Sequence, residues 1–315
     1  MKEQKVAIVG AGICGLYLAK KLSKKHQVTI FEKKKKIGKY ACSGLFSEKI
    51  LSFIPESRKL IKNRISSALL HFSKKEIKLN FPKDFLVIDH FKLDQLVVKL
   101  IDKDQVKILL NREIEAIPSG FDRVIGCDGA NSIVRKKVGL QPTKCRIGIQ
   151  GFLKKKDSSG FVEVWPTENG FIWKIPRGNE IEYGIIEEVE KAQKLLNNFL
   201  KEKDIQLKET RSALIPEGFQ VPSSKKITLC GDALGLTKPW SGGGVIWGLT
   251  AADILLKNFP DFLNYKKKVE RFFKFKILFS RILTKLVYFF GFNFPFIIPS
   301  KVEIENDFLI FNKNE

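Results

Sequence analysis

The chain is 315 residues long and 44% apolar, and it carries 56 Lys+Arg against 34 Asp+Glu, a formal net charge of +22. That length and apolar fraction allow one large folded body or two interlocked ones with ample core, and they exclude wholesale disorder and collagen-like chains. The longest uncharged stretch near the end, Leu286 to Ser300, has 15 residues with Asn293 and Pro295 inside it, short of the roughly 20 that a membrane-spanning helix needs.

Taken in order, Val6–Val9 reads as a buried strand, Cys14–Lys24 as a helix and Val28–Phe31 as a second strand ending at Glu32, a βαβ opening. Lys2 and Lys5 ahead of the apolar run imitate a leader peptide, but three glycines at set spacing inside the run mark it as folded structure. Leu93–Ile101 reads as a helix with Asp89 near its start as a cap, and Val106–Leu110 and Arg123–Ile125 as short strands. From Cys145 to Ile186 four strand-length runs (Arg146–Leu153, Phe161–Trp165, Phe171–Ile175, Ile181–Ile186) follow one another between Gly, Pro and Asn breaks, which predicts an antiparallel sheet. An amphipathic helix over Val189–Glu202, a buried strand Ile227–Leu229 and a helix Val245–Leu256 complete the main body.

Five scattered cysteines (Cys14, Cys42, Cys127, Cys145, Cys230) form no CxxC pair and three histidines no cluster, so neither a disulfide framework nor a metal site is expected, and a cytoplasmic setting fits best. Lysine runs at 33–36, 154–156 and 266–268 come without any nucleic-acid-reading motif, so no nucleic-acid partner is expected.

Three motifs carry chemistry. Gly10-Ala11-Gly12-Ile13-Cys14-Gly15 lies between strand and helix: Gly10 permits the tight turn, Gly12 the approach of a pyrophosphate, and Gly15 close helix–strand packing. The phosphates would sit at the positive end of the helix. Glu32, 17 residues after Gly15, stands where a carboxylate accepts from a ribose hydroxyl, which favours FAD or NAD over NADP. The second motif is Val124-Ile125-Gly126-Cys127-Asp128-Gly129, followed by Ser132 and Arg135. The third is Leu229-Cys230-Gly231-Asp232-Ala233, leading to Pro239-Trp240-Ser241-Gly242-Gly243-Gly244. In these, Asp128 and Asp232 are candidates to hold ribose or ribityl hydroxyls, and bare glycine backbone can approach a flat ring.

In this order the motifs resemble the FAD-dependent oxidoreductases of the p-hydroxybenzoate hydroxylase fold, over roughly Lys5 to Leu256. Within that superfamily the chain is similar to the geranylgeranyl reductases, including archaeal digeranylgeranylglycerophospholipid reductases. The similarity rests on Cys42-Ser43-Gly44-Leu45, Asp89-His90-Phe91-Lys92-Leu93-Asp94, Gly170-Phe171-Ile172-Trp173-Lys174-Ile175-Pro176 and Pro239–Gly244. The resemblance implies an α/β fold: a Rossmann-like FAD-binding domain (1–62, 88–138 and 225–258) interlocked with an antiparallel-sheet substrate domain (63–87 and 139–224), then a basic, aromatic helical region (259–315). It implies FAD contacts from Gly10, Gly12, Gly15, Glu32, Asp232 and Gly242–Gly244, and it often has an arginine where this chain has His90. Cys42 would be the proton donor or a positioning group, and Trp173 a wall of the substrate cavity. The expected activity is saturation of polyprenyl double bonds of a lipid, with electrons from NAD(P)H or a ferredoxin-like protein. A flavin monooxygenase or halogenase is the alternative within enzymes, and a membrane-surface flavoprotein without catalysis the alternative outside them.

The tail concentrates 13 of the 26 phenylalanines between Phe259 and Phe311 and eight basic residues against one acid between Lys266 and Lys285. Over Tyr265–Phe290 the helical periodicity gathers Val269, Phe272, Phe273, Phe279, Leu283, Leu286, Val287 and Phe290 near one face, which is expected to lie on an anionic membrane, with Phe289–Ile298 dipping in, the alternative being a C-terminal helix that covers the core.

Overall fold

A computed structural model of the protein describes residues 2–305 and Asp307; Phe308 and Phe311 of the aromatic tail lie outside the described residues. The first half of the chain contains β1 (Lys5–Val9), α1 (Ile13–Leu22), β2 (Gln27–Phe31), β3 (Leu45–Ser47), α2 (Ile50–Phe53), β4 (Ile61–Phe72), β5 (Lys75–Ile88), α3 (His90–Lys99), β6 (Val106–Leu109), β7 (Arg123–Gly126) and α4 (Ile133–Lys137). The second contains β8 (Lys144–Leu153), β9 (Phe161–Pro166), β10 (Phe171–Pro176), β11 (Ile181–Glu187), α5 (Val189–Glu202), β12 (Lys208–Glu217), β13 (Ile227–Leu229), α6 (Val245–Asn258), α7 (Phe262–Asn293) and β14 (Lys301–Glu303).

Two sheets result. The parallel sheet runs β13-β7-β1-β2-β6. Val6, Ala7, Ile8 and Val9 of β1 are all buried, because helices cover both faces of such a sheet and a continuous apolar run is what that position selects. The second sheet runs β12-β8-β11-β10-β9-β4-β5-β14, with β3 also on β5. It is mixed rather than purely antiparallel: β4 runs parallel to β9, and β14 parallel to β5. The C-terminal region is therefore not helical throughout, since its last described strand joins the substrate-side sheet.

Side-chain alternation gives the second sheet two unlike faces. Ile149, Ile172 and Ile185 point outward and pack under α5 with Ala192 and Leu196. Trp173, Ile175 and Ile186 point inward, where they meet Ile65, Ala68 and Val162.

The helix α7 joins the two halves. Asp261 caps its start, and the Tyr265 hydroxyl donates to the Leu229 carbonyl beside the parallel sheet. Near its other end Tyr288 donates to the Gly170 carbonyl at 2.7 Å, and Gly291 lies so close to Phe72 of β4 that a Cβ there would stand 2.2 Å from the ring. Of the helix face expected to meet a membrane, Val269 and Phe273 are buried in the core and Leu283 and Val287 line the central cavity, whereas Leu286 is exposed. Ile277 is buried as well. The helix is apolar on a second side, and this outer stripe is the exposed one.

Candidate active site

Between the two sheets lies a cavity of about 1190 Å³. Ten of the eleven residues singled out by sequence line it: Gly10, Gly12, Glu32, Cys42, Asp128, Trp173, Asp232, Gly242, Gly243 and Gly244. Gly15 stands one turn into α1, where a Cβ would be 2.1 Å from the Gly10 carbonyl oxygen, so its part is the close crossing of helix and loop.

The groove at the glycine loop fits a dinucleotide on three observations. Gly10 has φ +99°, and a Cβ would sit 2.4 Å from the Cys127 carbonyl. A Cβ on Gly12 would meet nothing within 4 Å, so the backbone there is open to the cavity. No side chain caps the start of α1, which leaves its first N–H groups for an anion. Glu32 is buried at the end of β2 and accepts from the Ala11 and Lys34 amides at 2.7 and 2.9 Å. These bonds fix the carboxylate and leave lone pairs facing the groove.

The two aspartates differ. Asp128 accepts from the Ser132 hydroxyl and from the Val134 amide, so its carboxylate is turned to the start of α4. Burial raises its pKa against those bonds. Asp232 faces the cavity and pairs with Lys39 at 3.3 Å. Arg135, buried after the second motif, donates to the carbonyls of Ala233 and Gly218 and so locks the second motif to the third.

Cys42 lies in a loop held from three sides: Gln150 donates to its carbonyl, Arg177 to that of Ser43, and Ile88 to that of Gly44. Gly44 has φ +65°, and a Cβ there would collide with the Ile88 carbonyl at 1.9 Å. The thiol accepts from the Gly44 amide at 3.4 Å and interacts with the His90 imidazole. Burial works to raise the thiol, yet the His90 and Lys39 cations and these bonds bring it below its ordinary value. For His90, burial alone would depress the imidazole, but Asp94 and Cys42 outweigh it and push it up to about 10. Asp94 also accepts from the Lys39 amide at 3.0 Å, so Lys39, Cys42, His90, Asp94 and Asp232 form one polar cluster. Sequence reasoning left Lys39 and Asp94 out of the site. The i,i+4 spacing of His90 and Asp94 on α3 was the available signal, and nothing local pointed to Lys39.

Beyond this cluster the cavity turns apolar, walled by Leu70, Leu79, Phe81, Phe85, Val164 and Trp173, with Leu283 and Val287 of α7 opposite. Trp173 packs against Gly184, where a Cβ would be 2.3 Å from its ring. Its Nε1 donates to Glu182 at 2.9 Å, and Arg177 donates to the same carboxylate at 2.7 Å. This tryptophan is part of the sheet core and also lines the cavity.

Residues 8–45 match the model of an NAD(P)-binding Rossmann-like domain. An uncharacterized protein of Methanocaldococcus jannaschii, MJ1520, is 25% identical over 294 residues, covering 82% of this chain and 76% of its own. The crystal structure of a geranylgeranyl bacteriochlorophyll reductase-like protein from Thermoplasma acidophilum superposes with a TM-score of 0.74 at 18% identity, over 90% of this chain and 87% of that one. That of CmlS, a flavin-dependent halogenase, superposes with a TM-score of 0.75 at 17% identity, over 98% of this chain and 69% of that one. At these identities the likeness is one of fold, which is shared by flavin-dependent enzymes of different chemistry.

Proposed function

We propose that the protein is an FAD-dependent reductase that saturates carbon–carbon double bonds of a long isoprenoid chain. The observation that carries this reading is the single cavity in which a dinucleotide groove opens, past a thiol–imidazole pair, onto a long apolar bay. Gly10, Gly12, Glu32, Asp232 and Gly242–Gly244 would hold FAD, and its reduced ring would supply a hydride to one alkene carbon.

The protein's own part is positioning, exclusion of water and proton supply. The wall formed by Leu70, Phe81, Phe85 and Val164 is apolar, so it suits a chain recognised by shape and area. A hydride added to an alkene must be matched by a proton on the neighbouring carbon. Cys42 can deliver it from Sγ, and His90 can return it, because the imidazolium is held protonated by Asp94 at ordinary pH.

The test is anaerobic: the flavin-loaded protein is reduced with dithionite, mixed with a geranylgeranyl lipid, and the lipid is weighed by mass spectrometry. Gain of hydrogen pairs supports the reductase. No gain with flavin and lipid both bound, followed by oxygen consumption on admission of air, would transfer the reading to the oxygen-dependent chemistry of the halogenases with which the fold is shared.

A further inference from the structure

Most apolar surface in this protein is covered, which makes the outer side of α7 conspicuous. Phe275, Leu278, Ile282, Leu286 and Phe289 are all exposed, Phe275 at 73%. Their spacing of three, four, four and three residues puts them on one stripe, about 21 Å long at 1.5 Å per residue. Phe292 in the last turn of the helix and Phe294, Phe296 and Ile297 just past its end are also exposed, Phe296 at 76%. A patch of this size on a soluble surface calls for a partner.

The charges beside it identify the partner's chemistry. Arg271, exposed one turn before Phe275, stands in line with the stripe, and the exposed Lys274, Arg281 and Lys285 flank it on one side. Glu270, the one acid between Lys266 and Lys285, is paired with Lys274. A second copy docking through this face would bring the same cations against each other, on chains that each carry a net +22. An apolar stripe edged by cations is instead complementary to a bilayer whose head groups are anionic. Among the described residues no helix is long and apolar enough to cross a membrane, so the contact is adsorption in the interface plane.

We propose that the outer stripe of α7 and the turn at 292–297 dock on an anionic lipid bilayer. The opposite face of the same helix carries Leu283, Thr284 and Val287 into the cavity wall. The docked surface and the apolar bay are then separated by one helix, roughly 10 Å across with its side chains. The inference adds a partner to the reductase reading and does not depend on it, because adsorption is measured without turnover.

The experiment is flotation of the full-length, flavin-loaded protein with phosphatidylcholine vesicles, prepared with and without phosphatidylglycerol. The expected result is flotation with the phosphatidylglycerol vesicles and little with phosphatidylcholine alone. The double variant Phe275→Ser/Phe289→Ser should lose about tenfold or more in partition, and Phe275→Leu/Phe289→Leu should restore most of it. The triple variant Lys274→Glu/Arg281→Glu/Lys285→Glu should lose a similar factor and the dependence on salt. All three should keep wild-type flavin content and melting temperature, since the side chains lie outside the core. Absence of flotation with phosphatidylglycerol vesicles would overturn the proposal, as would partition that the serine and glutamate variants leave unchanged. If instead the wild type forms a concentration-dependent dimer that Phe275→Ser/Phe289→Ser abolishes, without flotation, the face belongs to a second copy and the proposal falls.

Discussion

His90 and Asp94 face each other across one turn of α3, Nε2 to Oδ1 at 3.5 Å, both nearly sealed from solvent, and Cys42 lines the same cavity as His90. A smaller pocket of about 350 Å³ meets the central cavity at Cys42 and His90 and gives reagents a route to the sulfur. Its charged lining is Asp89, Lys154, Arg177, Glu180, Lys208, Glu209 and Arg211, and on the cavity side Lys39 and Asp232 complete the groups around the pair. Cys42 should therefore be alkylated by iodoacetamide ahead of Cys14 and Cys230, whose bonds to other cysteines and burial push them well up. Its rate should level off at a lower pH than that of an ordinary free thiol. Replacing His90 by Ala should move that inflection upward. Peptide mapping of the labelled protein checks the site, and an unchanged inflection would remove His90 from the role assigned to it.

The same pair makes a statement about stability. His90 is raised in the folded protein, so its stabilising contribution is present in full below the ordinary imidazole value of 6.5 and is lost as pH rises through about 10. Denaturant titrations across that window should show a fall that His90→Ala abolishes.

Glu182 gives a dependence in a lower window. Burial pushes its carboxyl up to about 7, against the pull of Arg177 and Trp173. The folded protein then holds a proton that the unfolded chain releases, so stability is highest below about 4.5 from this group and declines as pH rises to about 7. The whole effect is on the order of 3 kcal/mol at most. Glu182→Gln keeps an acceptor for Trp173 and should flatten the profile. An equal slope in the variant would assign the dependence elsewhere.

Two glycines of the first loop should separate folding from cofactor binding. Gly15→Ala drives a Cβ into the Gly10 backbone and should destabilise the protein by about 1–3 kcal/mol. Gly12→Ala meets nothing within 4 Å and should melt like wild type while retaining several-fold less flavin, read from the absorbance released on denaturation.

Gly184→Ala acts on the cavity wall. Its Cβ would stand 2.3 Å from the Trp173 ring and 2.5 Å from the Ile149 carbonyl, so the indole must leave Glu182 or the strands must part. A shifted tryptophan emission with a loss of about 1–3 kcal/mol is expected. Neither change would mean the strands flex more than their packing suggests.

Much of this was legible in sequence, for physical reasons that differ by element. The unit β1–α1–β2 shows its period and its glycines because a buried parallel strand and a helix starting on phosphate-sized turns admit few residue types. The hairpin β4–β5 does not: Lys74, Lys75, Glu76 and Lys78 interrupt its apolar pattern, and Pro82 argues against a strand. The fold accommodates that proline where the pairing jumps from Ile65–Phe85 to Ser67–Asn80, an irregularity no local rule announces. The edge strand β12 opens with Lys208-Glu209-Thr210-Arg211 and reads as a loop for a similar reason. For α7 the periodicity marked the helix but left its direction open, because a helix apolar on two sides does not say which side the core takes. Cys42 stood out by its motif, while the partners that set its charge come from a loop and a helix that only the folded chain brings together.

The way α7 is fastened has a consequence for the route a substrate takes. Tyr265 ties one end of the helix to the parallel sheet, and Tyr288 and Gly291 tie the other to the second sheet. A strut pinned at both ends cannot swing aside like a hinged door, so under the reductase proposal a long chain would thread lengthwise along it. Threading would turn distance into selection: each step of such a chain past Cys42 would present another stretch to the same atoms, and several sites on one molecule could be reached without letting it go.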